Sequence, residues 1–123
     1  ALKHATLDNG CMSFIPGTQD LTDLEPVNLG NPQSVQEIAP QLKGKKGVPC
    51  PLSAGSCTFH HGLTFHYAGP NKSDGMREAF AIIYMADGTT FSGGPHMVTG
   101  PLKLEAGAKL EGETFPLLST RTE

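Results

Sequence analysis

Thr58-Phe59-His60-His61-Gly62-Leu63-Thr64-Phe65-His66-Tyr67 is the stretch on which the fold turns. Cys57 to Phe65 reads as a strand, broken or bulged at Gly62. Side chains two apart share a face of a strand. That spacing places His60, Thr64 and His66 on one face, with Gly62 leaving room between them. Phe59, His61, Leu63 and Phe65 take the other face. One face is polar and rich in imidazole, the other mostly apolar, a pattern that suggests a sheet lining a polar cavity. A bulge at Gly62 would exchange some of these faces, so either His60 or His61 can belong to the cavity.

Downstream, Gly69-Pro70-Asn71-Lys72-Ser73-Asp74-Gly75 is dense in turn formers, and Asn71 and Ser73 are the residues expected to serve the turn. Arg77 to Met85 then reads as a strand, and its near-continuous apolar run predicts burial on both faces. With Tyr67 to Met76 as the connection, the two strands run antiparallel, and His66 and Arg77 can face one pocket. A neutral imidazole is a good ligand for Fe(II). An arginine nearby can hold a carboxylate through a planar pair of hydrogen bonds.

Upstream, Val48 to Leu52 reads as a strand that Pro49 and Pro51 confine to a sheet edge or a kinked path. Ala1 to Leu7 and Cys11 to Ile15 read as a hairpin about Asp8-Asn9-Gly10, since Asn-Gly between apolar stretches is a strong turn signal. Residues 18–47 are polar and carry Pro26, Pro32 and Pro40. Their only helical hint is Ser34 to Ile38, so an irregular insertion or lid is expected there. Beyond Asp87-Gly88 the chain is loop-rich, with apolar patches only at Leu102-Lys103-Leu104 and Phe115 to Leu118. Residues 86–101 are a second candidate for a lid. The reading is mainly β.

A length of 123 residues sets one domain as the expectation. Fifteen glycines and ten prolines favour frequent turns over long helices. The net charge of −3 gives no electrostatic reason to expect nucleic acid or an anionic membrane as partner. No window is apolar enough to span a bilayer, and no charged-then-apolar leader pattern is present. Cys11, Cys50 and Cys57 are an odd number without paired spacing, which suits reduced thiols in a cytoplasmic protein. The cysteines, His4 and His96 are read as structural.

Thr58 to Arg77 resembles the C-terminal motif of the phytanoyl-CoA dioxygenase family, roughly H-G-S-G-P-N-x-S-x-x-x-R from the last iron ligand. Matched position by position, the resemblance implies His66 as that ligand. It implies Arg77 as the partner of the far carboxylate of 2-oxoglutarate; Thr64, on the His66 face by its spacing, is the further candidate for that cofactor pocket. Tyr67-Ala68 replaces the common Gly-Ser. Ala1 to Gly17 is similar to the family's hairpin ending P-G-S-H, with Thr18 and Gln19 where Ser-His is usual. Glu105 to Leu118 is similar to a tail of the form G-x-x-L-x-x-x-x-F-P.

The resemblance implies a double-stranded β-helix, the cupin-like jelly roll, with Fe(II), 2-oxoglutarate and O2 serving hydroxylation of a small molecule. The family's other two iron ligands form a His-x-Asp or His-x-Glu motif, and none of His4, His61 or His96 begins one here. With Ala1 as first residue, two readings follow. One is the C-terminal part of a dioxygenase whose N-terminal strands lie elsewhere. The other is an inactive truncated relative that acts as a small-molecule-binding or oligomeric structural module. Missing strands would leave open edges and bare apolar faces, so a homodimer or larger assembly is expected.

Overall fold

The computed structural model describes residues 1–22, 24 and 34–118. It forms two compact units, Ala1–Ala81 and Ile82–Glu123. The centre of the first unit is strand β1, Met12–Phe14, which lies between β2, Val48–Pro49, and β3, His66–Ala68. Both pairings are antiparallel, with Ser13 opposite Pro49 on one side and Tyr67 on the other. The alternation expected of a strand is visible around β1. Cys11, Ser13 and Ile15 are buried, while Met12 and Phe14 face the other way and are half-buried. Ala5, Ala39 and Leu42 complete the buried apolar set of this unit.

The Asn-Gly turn forms, but not as a hairpin. Ala5 pairs with Leu52, and Ser13 pairs with Pro49, so both arms of the turn run along the same stretch, 48–52. Residues 6–10 are looped out of an otherwise continuous path. Four local bonds hold the excursion, one of them from the Asn9 amide to Thr6 Oγ1 at 3.2 Å. The Thr6 amide donates to Asn9 Oδ1 at 2.7 Å, the Asn9 side-chain amide donates to the His4 carbonyl at 2.8 Å, and the Cys11 amide donates to the Thr6 carbonyl at 2.8 Å. Asn9 therefore supplies the turn chemistry read from the sequence, and Gly10 supplies the positive φ of 78°. Tertiary pairing to residues 48–52 decides what the turn connects.

Residues 48–52 form the expected edge. The amides of Cys50 and Leu52 point inward, to the carbonyls of Met12 and Ala5. The alternate positions, whose amides would point outward, are Pro49 and Pro51, which have none.

Cys57 to Phe65 is not a strand. The chain turns at His61 to Thr64, where the Thr64 amide donates to the His61 carbonyl at 2.9 Å, and Gly62 lies in that turn rather than in a bulge. Pairing starts only at His66. Arg77 to Met85 is likewise not a strand, and its apolar side chains are not buried. Phe80 and Ile83 are 73% and 83% exposed. An apolar run is buried only where neighbouring edges exist to pair with it. Among the described residues the bond between this stretch and the rest of the first unit's backbone is that of the Leu2 amide to the Glu78 carbonyl, 3.0 Å.

The helical hint at Ser34 is realised as a single turn, α1, Val35–Ile38, opened by a capping box. The Ser34 amide donates to the Glu37 carboxylate at 2.8 Å, and the Glu37 amide donates to Ser34 Oγ at 3.3 Å. A 3-10 turn at Pro40–Leu42 follows. Part of the lid expected at 18–47, residues 23 and 25–33, lies outside the described residues. The second unit carries a bridge between Thr90 and Lys109, a 3-10 turn at Gly100–Leu102, and ion pairs from Lys109 to Glu111 at 3.3 Å and Asp87 at 3.7 Å. Among the described residues no helix is long and apolar enough to cross a membrane.

Candidate functional site

His66 opens β3, directly across from Phe14 of β1. That pairing fixes which face the imidazole takes, because side chains of opposed residues stand on the same side of a sheet. The rings of Phe14 and His66 are 5.9 Å apart, centre to centre, and His60 packs against both, 4.8 Å from each. His60 reaches this place through the turn at 61–64 rather than by alternation along a strand. His60 thus touches His66 by a geometry other than strand alternation, and it lines a cavity with Thr64.

The choice between His60 and His61 is settled by that turn. His61 is exposed, and its Nδ1 accepts a hydrogen bond from the Leu63 amide at 3.2 Å. His60 lines an open cavity of about 340 Å³ together with Phe14, Gly17, Cys50, Phe59 and Thr64. Burial against these groups, and then the neighbouring His66, lower the pKa of His60 below its ordinary value.

His66 Nδ1 lies 2.7 Å from the Thr64 carbonyl oxygen. A carbonyl only accepts, so this contact places the proton on Nδ1 and leaves the Nε2 lone pair free. Thr64 thus acts on His66 through its backbone, while its side chain borders the cavity.

β3 is held in place by Thr18. Its hydroxyl accepts from the Phe65 amide at 2.8 Å and donates to the Ile15 carbonyl at 2.7 Å, and the residue is 1% exposed. The sequence marked Thr18 only as a substitute for Ser in a motif, and its spacing from Phe65 gave no sign of the bond. Tyr67 stands opposite Ser13, on the face of β3 away from His66. The exchange of Gly for Tyr at 67 therefore leaves the imidazole face untouched.

Arg77 is half-buried, and among the described residues its guanidinium makes no hydrogen bond or ion pair. Its neighbour Glu78 is pinned to the N-terminal segment by the Leu2 amide and by a 2.7 Å ion pair with Lys3. The loop before it is closed by Asn71, whose side-chain amide donates to the Gly75 carbonyl at 2.7 Å, and by Ser73, whose amide donates to Asn71 Oδ1 at 2.9 Å. Asn71 and Ser73 serve the turn, as their chemistry suggests. Among the described residues no three His, Cys, Asp or Glu side chains converge as a ligand set for a metal ion.

The family model for phytanoyl-CoA dioxygenase (PhyH) matches residues 1–79. Phytanoyl-CoA dioxygenase domain-containing protein 1 of Mus musculus is 32% identical over 100 residues, covering 76% of this chain and 34% of that protein. The peroxisomal phytanoyl-CoA dioxygenase of Homo sapiens is 29% identical over 86 residues, covering 66% of this chain and 25% of the human protein. Among solved structures, the non-heme alpha-ketoglutarate-dependent carbocyclase SnoK from nogalamycin biosynthesis superposes with a TM-score of 0.80 at 31% identity. That match covers 95% of this chain and 46% of SnoK. The fold is therefore that of a 2-oxoglutarate oxygenase, the mainly-β, cupin-like jelly roll. The chain spans about a third of the length of the curated relatives it matches.

Proposed function

Since the chain belongs to the phytanoyl-CoA dioxygenase family, we propose that it supplies the His66–Arg77 part of a 2-oxoglutarate-dependent dioxygenase site acting on a small molecule. The observation that carries this reading is the 2.7 Å contact of His66 Nδ1 with the Thr64 carbonyl, which presents Nε2 as a ligand nitrogen. Arg77 adds a half-buried guanidinium, unpaired among the described residues and suited to the far carboxylate of 2-oxoglutarate.

Non-heme iron of this type takes two histidines and one carboxylate on one face. The described residues do not fit a complete set of that kind, so no reaction step is assigned to iron here. What these residues do is orient an imidazole, hold a carboxylate and border an open cavity. When bound, the metal would supply the oxidising chemistry.

Calorimetric titration of 2-oxoglutarate, with and without Mn(II), tests the reading. Arg77→Ala is expected to weaken binding by an order of magnitude or so, the effect of losing a charged hydrogen-bonding partner. His66→Ala is expected to remove whatever part of the affinity depends on metal. Unaltered binding in Arg77→Ala would overturn the assignment.

The incomplete ligand set favours a second reading, a binding module without catalysis. Binding of 2-oxoglutarate through Arg77, with no Fe(II)-dependent release of succinate, would decide for it.

A further inference from the structure

We infer that Lys3 is a positioning residue for Arg77, holding the guanidinium in place for a dicarboxylic acid through its ion pair with Glu78. The inference rests on the reading of Arg77 given above and adds the residue that fixes it.

The Arg77 side chain makes no bond of its own among the described residues, so its place is set by what holds the backbone on either side. Before it, the Gly75 carbonyl accepts from the Asn71 side-chain amide at 2.7 Å and from Ser73 Oγ at 3.3 Å. After it, the Glu78 carbonyl accepts from the Leu2 amide at 3.0 Å. Met76 and Arg77 are all that lie between these two anchors. The turn before Arg77 is itself tied to the N-terminal stretch, where the Lys72 amide donates to the Asp8 carbonyl at 2.8 Å. Residues 2–8 thus carry both ends of the short span that presents the guanidinium.

Lys3 closes the second anchor. Its Nζ lies 2.7 Å from Glu78 Oε1, so residue 78 is held by its side chain as well as by its carbonyl. Charge gives this pair a further effect. Glu78 is the carboxylate next in sequence to Arg77, and left free it would repel an incoming dicarboxylate. The ion pair commits it to Lys3 instead. The two side chains are 56% and 45% exposed, and pairs so open to water add little to global stability. The contribution of this one is local. It steadies the backbone beside a guanidinium whose paired hydrogen bonds to a carboxylate depend on geometry.

Titration of 2-oxoglutarate into the 123-residue chain, followed by calorimetry and at the Arg77 ¹⁵Nε resonance, tests the role. Lys3→Met should weaken binding on the order of threefold, the scale open to an exposed ion pair. It should also shift the Arg77 resonance of the free protein while the denaturant midpoint stays in place. Lys3→Arg keeps the ion pair and should restore the parent affinity. In a Glu78→Gln background Lys3→Met should have no further effect, because its partner is already gone. An equal loss in both backgrounds would make Lys3 a general cation near the ligand and overturn the positioning role. Parent-like affinity in Lys3→Met beside weakened Arg77→Ala would overturn it too, and would leave the reading of Arg77 standing. If Arg77→Ala also binds like the parent, that reading falls and the role of Lys3 falls with it.

Discussion

The hydroxyl of Thr18 accepts the Phe65 amide at 2.8 Å across 47 residues of sequence. It joins the loop that follows β1 to the residue that precedes His66. Because the same oxygen donates to the Ile15 carbonyl, one buried side chain fixes both strands that carry the aromatic cluster. Thr18→Val keeps the shape and removes both bonds, leaving the Phe65 amide without its partner. It is expected to cost about 1–3 kcal/mol in denaturant unfolding, with Thr18→Ser much closer to the parent. Equal stabilities for Val and Ser would show that the hydroxyl contributes nothing.

Gly10 is the second structural test. Its φ of 78° disfavours any side chain, and a Cβ there would collide with the carbonyl oxygen of Gly69. The looped-out residues dock on the turn before Arg77 at this point, where the Lys72 amide donates to the Asp8 carbonyl at 2.8 Å. Gly10→Ala should therefore destabilise by more than the roughly 1 kcal/mol of strain alone, and should shift the amide resonances of residues 69–72. Resonances confined to residues 8–12 would rule out the coupling.

Much of this arrangement was legible from the sequence, but not its connections. Asn9 and Gly10 announced a turn, Pro49 and Pro51 an edge, and Ser34 with Glu37 a helix start, because each acts through bonds to its own neighbours. The partner of Ala5 is Leu52 rather than a residue across the turn, and no local signal carries that choice. Arg77 to Met85 shows the limit most plainly. Its apolar run reads as a buried strand, yet burial needs a partner edge, and the described residues give it almost none. The motif singled out His66 and Arg77, and the two-residue spacing singled out Thr64. The selection of His60 over His61 waited on a turn the strand reading did not contain.

His60 should titrate below its ordinary value of 6.5, because burial disfavours its charge first and His66 does so second. Folding then binds fewer protons than the unfolded chain between the two pKa values, so stability rises with pH through that window and falls as the medium is acidified below about 6.5. NMR titration should show His60 rising part of the way back in His66→Phe, since the contribution of burial remains. A His60 midpoint at or above 6.5 would contradict this packing.

Glu37 works in the opposite sense. Hydrogen bonds from the Ser34 amide and then the Ser34 hydroxyl lower its pKa below the usual 4.5. The cap therefore helps folding above about pH 4.5, and its help is lost as pH falls through the lowered value. Ser34→Ala keeps the amide and removes the hydroxyl, so it should return the Glu37 midpoint only part of the way towards 4.5, a shift that side-chain carboxyl chemical shifts would report. An unmoved midpoint would rule out the hydroxyl's part and leave the amide as the cause.

Exposed Phe80, Ile83 and Tyr84 make self-association of the isolated chain the expected state. Light scattering should give a mass of at least twice 13.0 kDa, and Phe80→Glu with Ile83→Lys should reduce it to that of one chain. A well-folded parent monomer would refute the expectation.

The two prolines of residues 48–52 bear on how far such association can go. The sheet ends in a border from which the outward amide donors have been deleted, so a newly arriving strand finds only carbonyl acceptors at two successive sites. Growth by templated addition, the route to fibrils, is closed on that flank. Any cross-β order that accompanies association through the bare apolar run should therefore start away from residues 48–52, and hydrogen exchange should find the Cys50 and Leu52 amides no better protected in the associated protein than in the free chain.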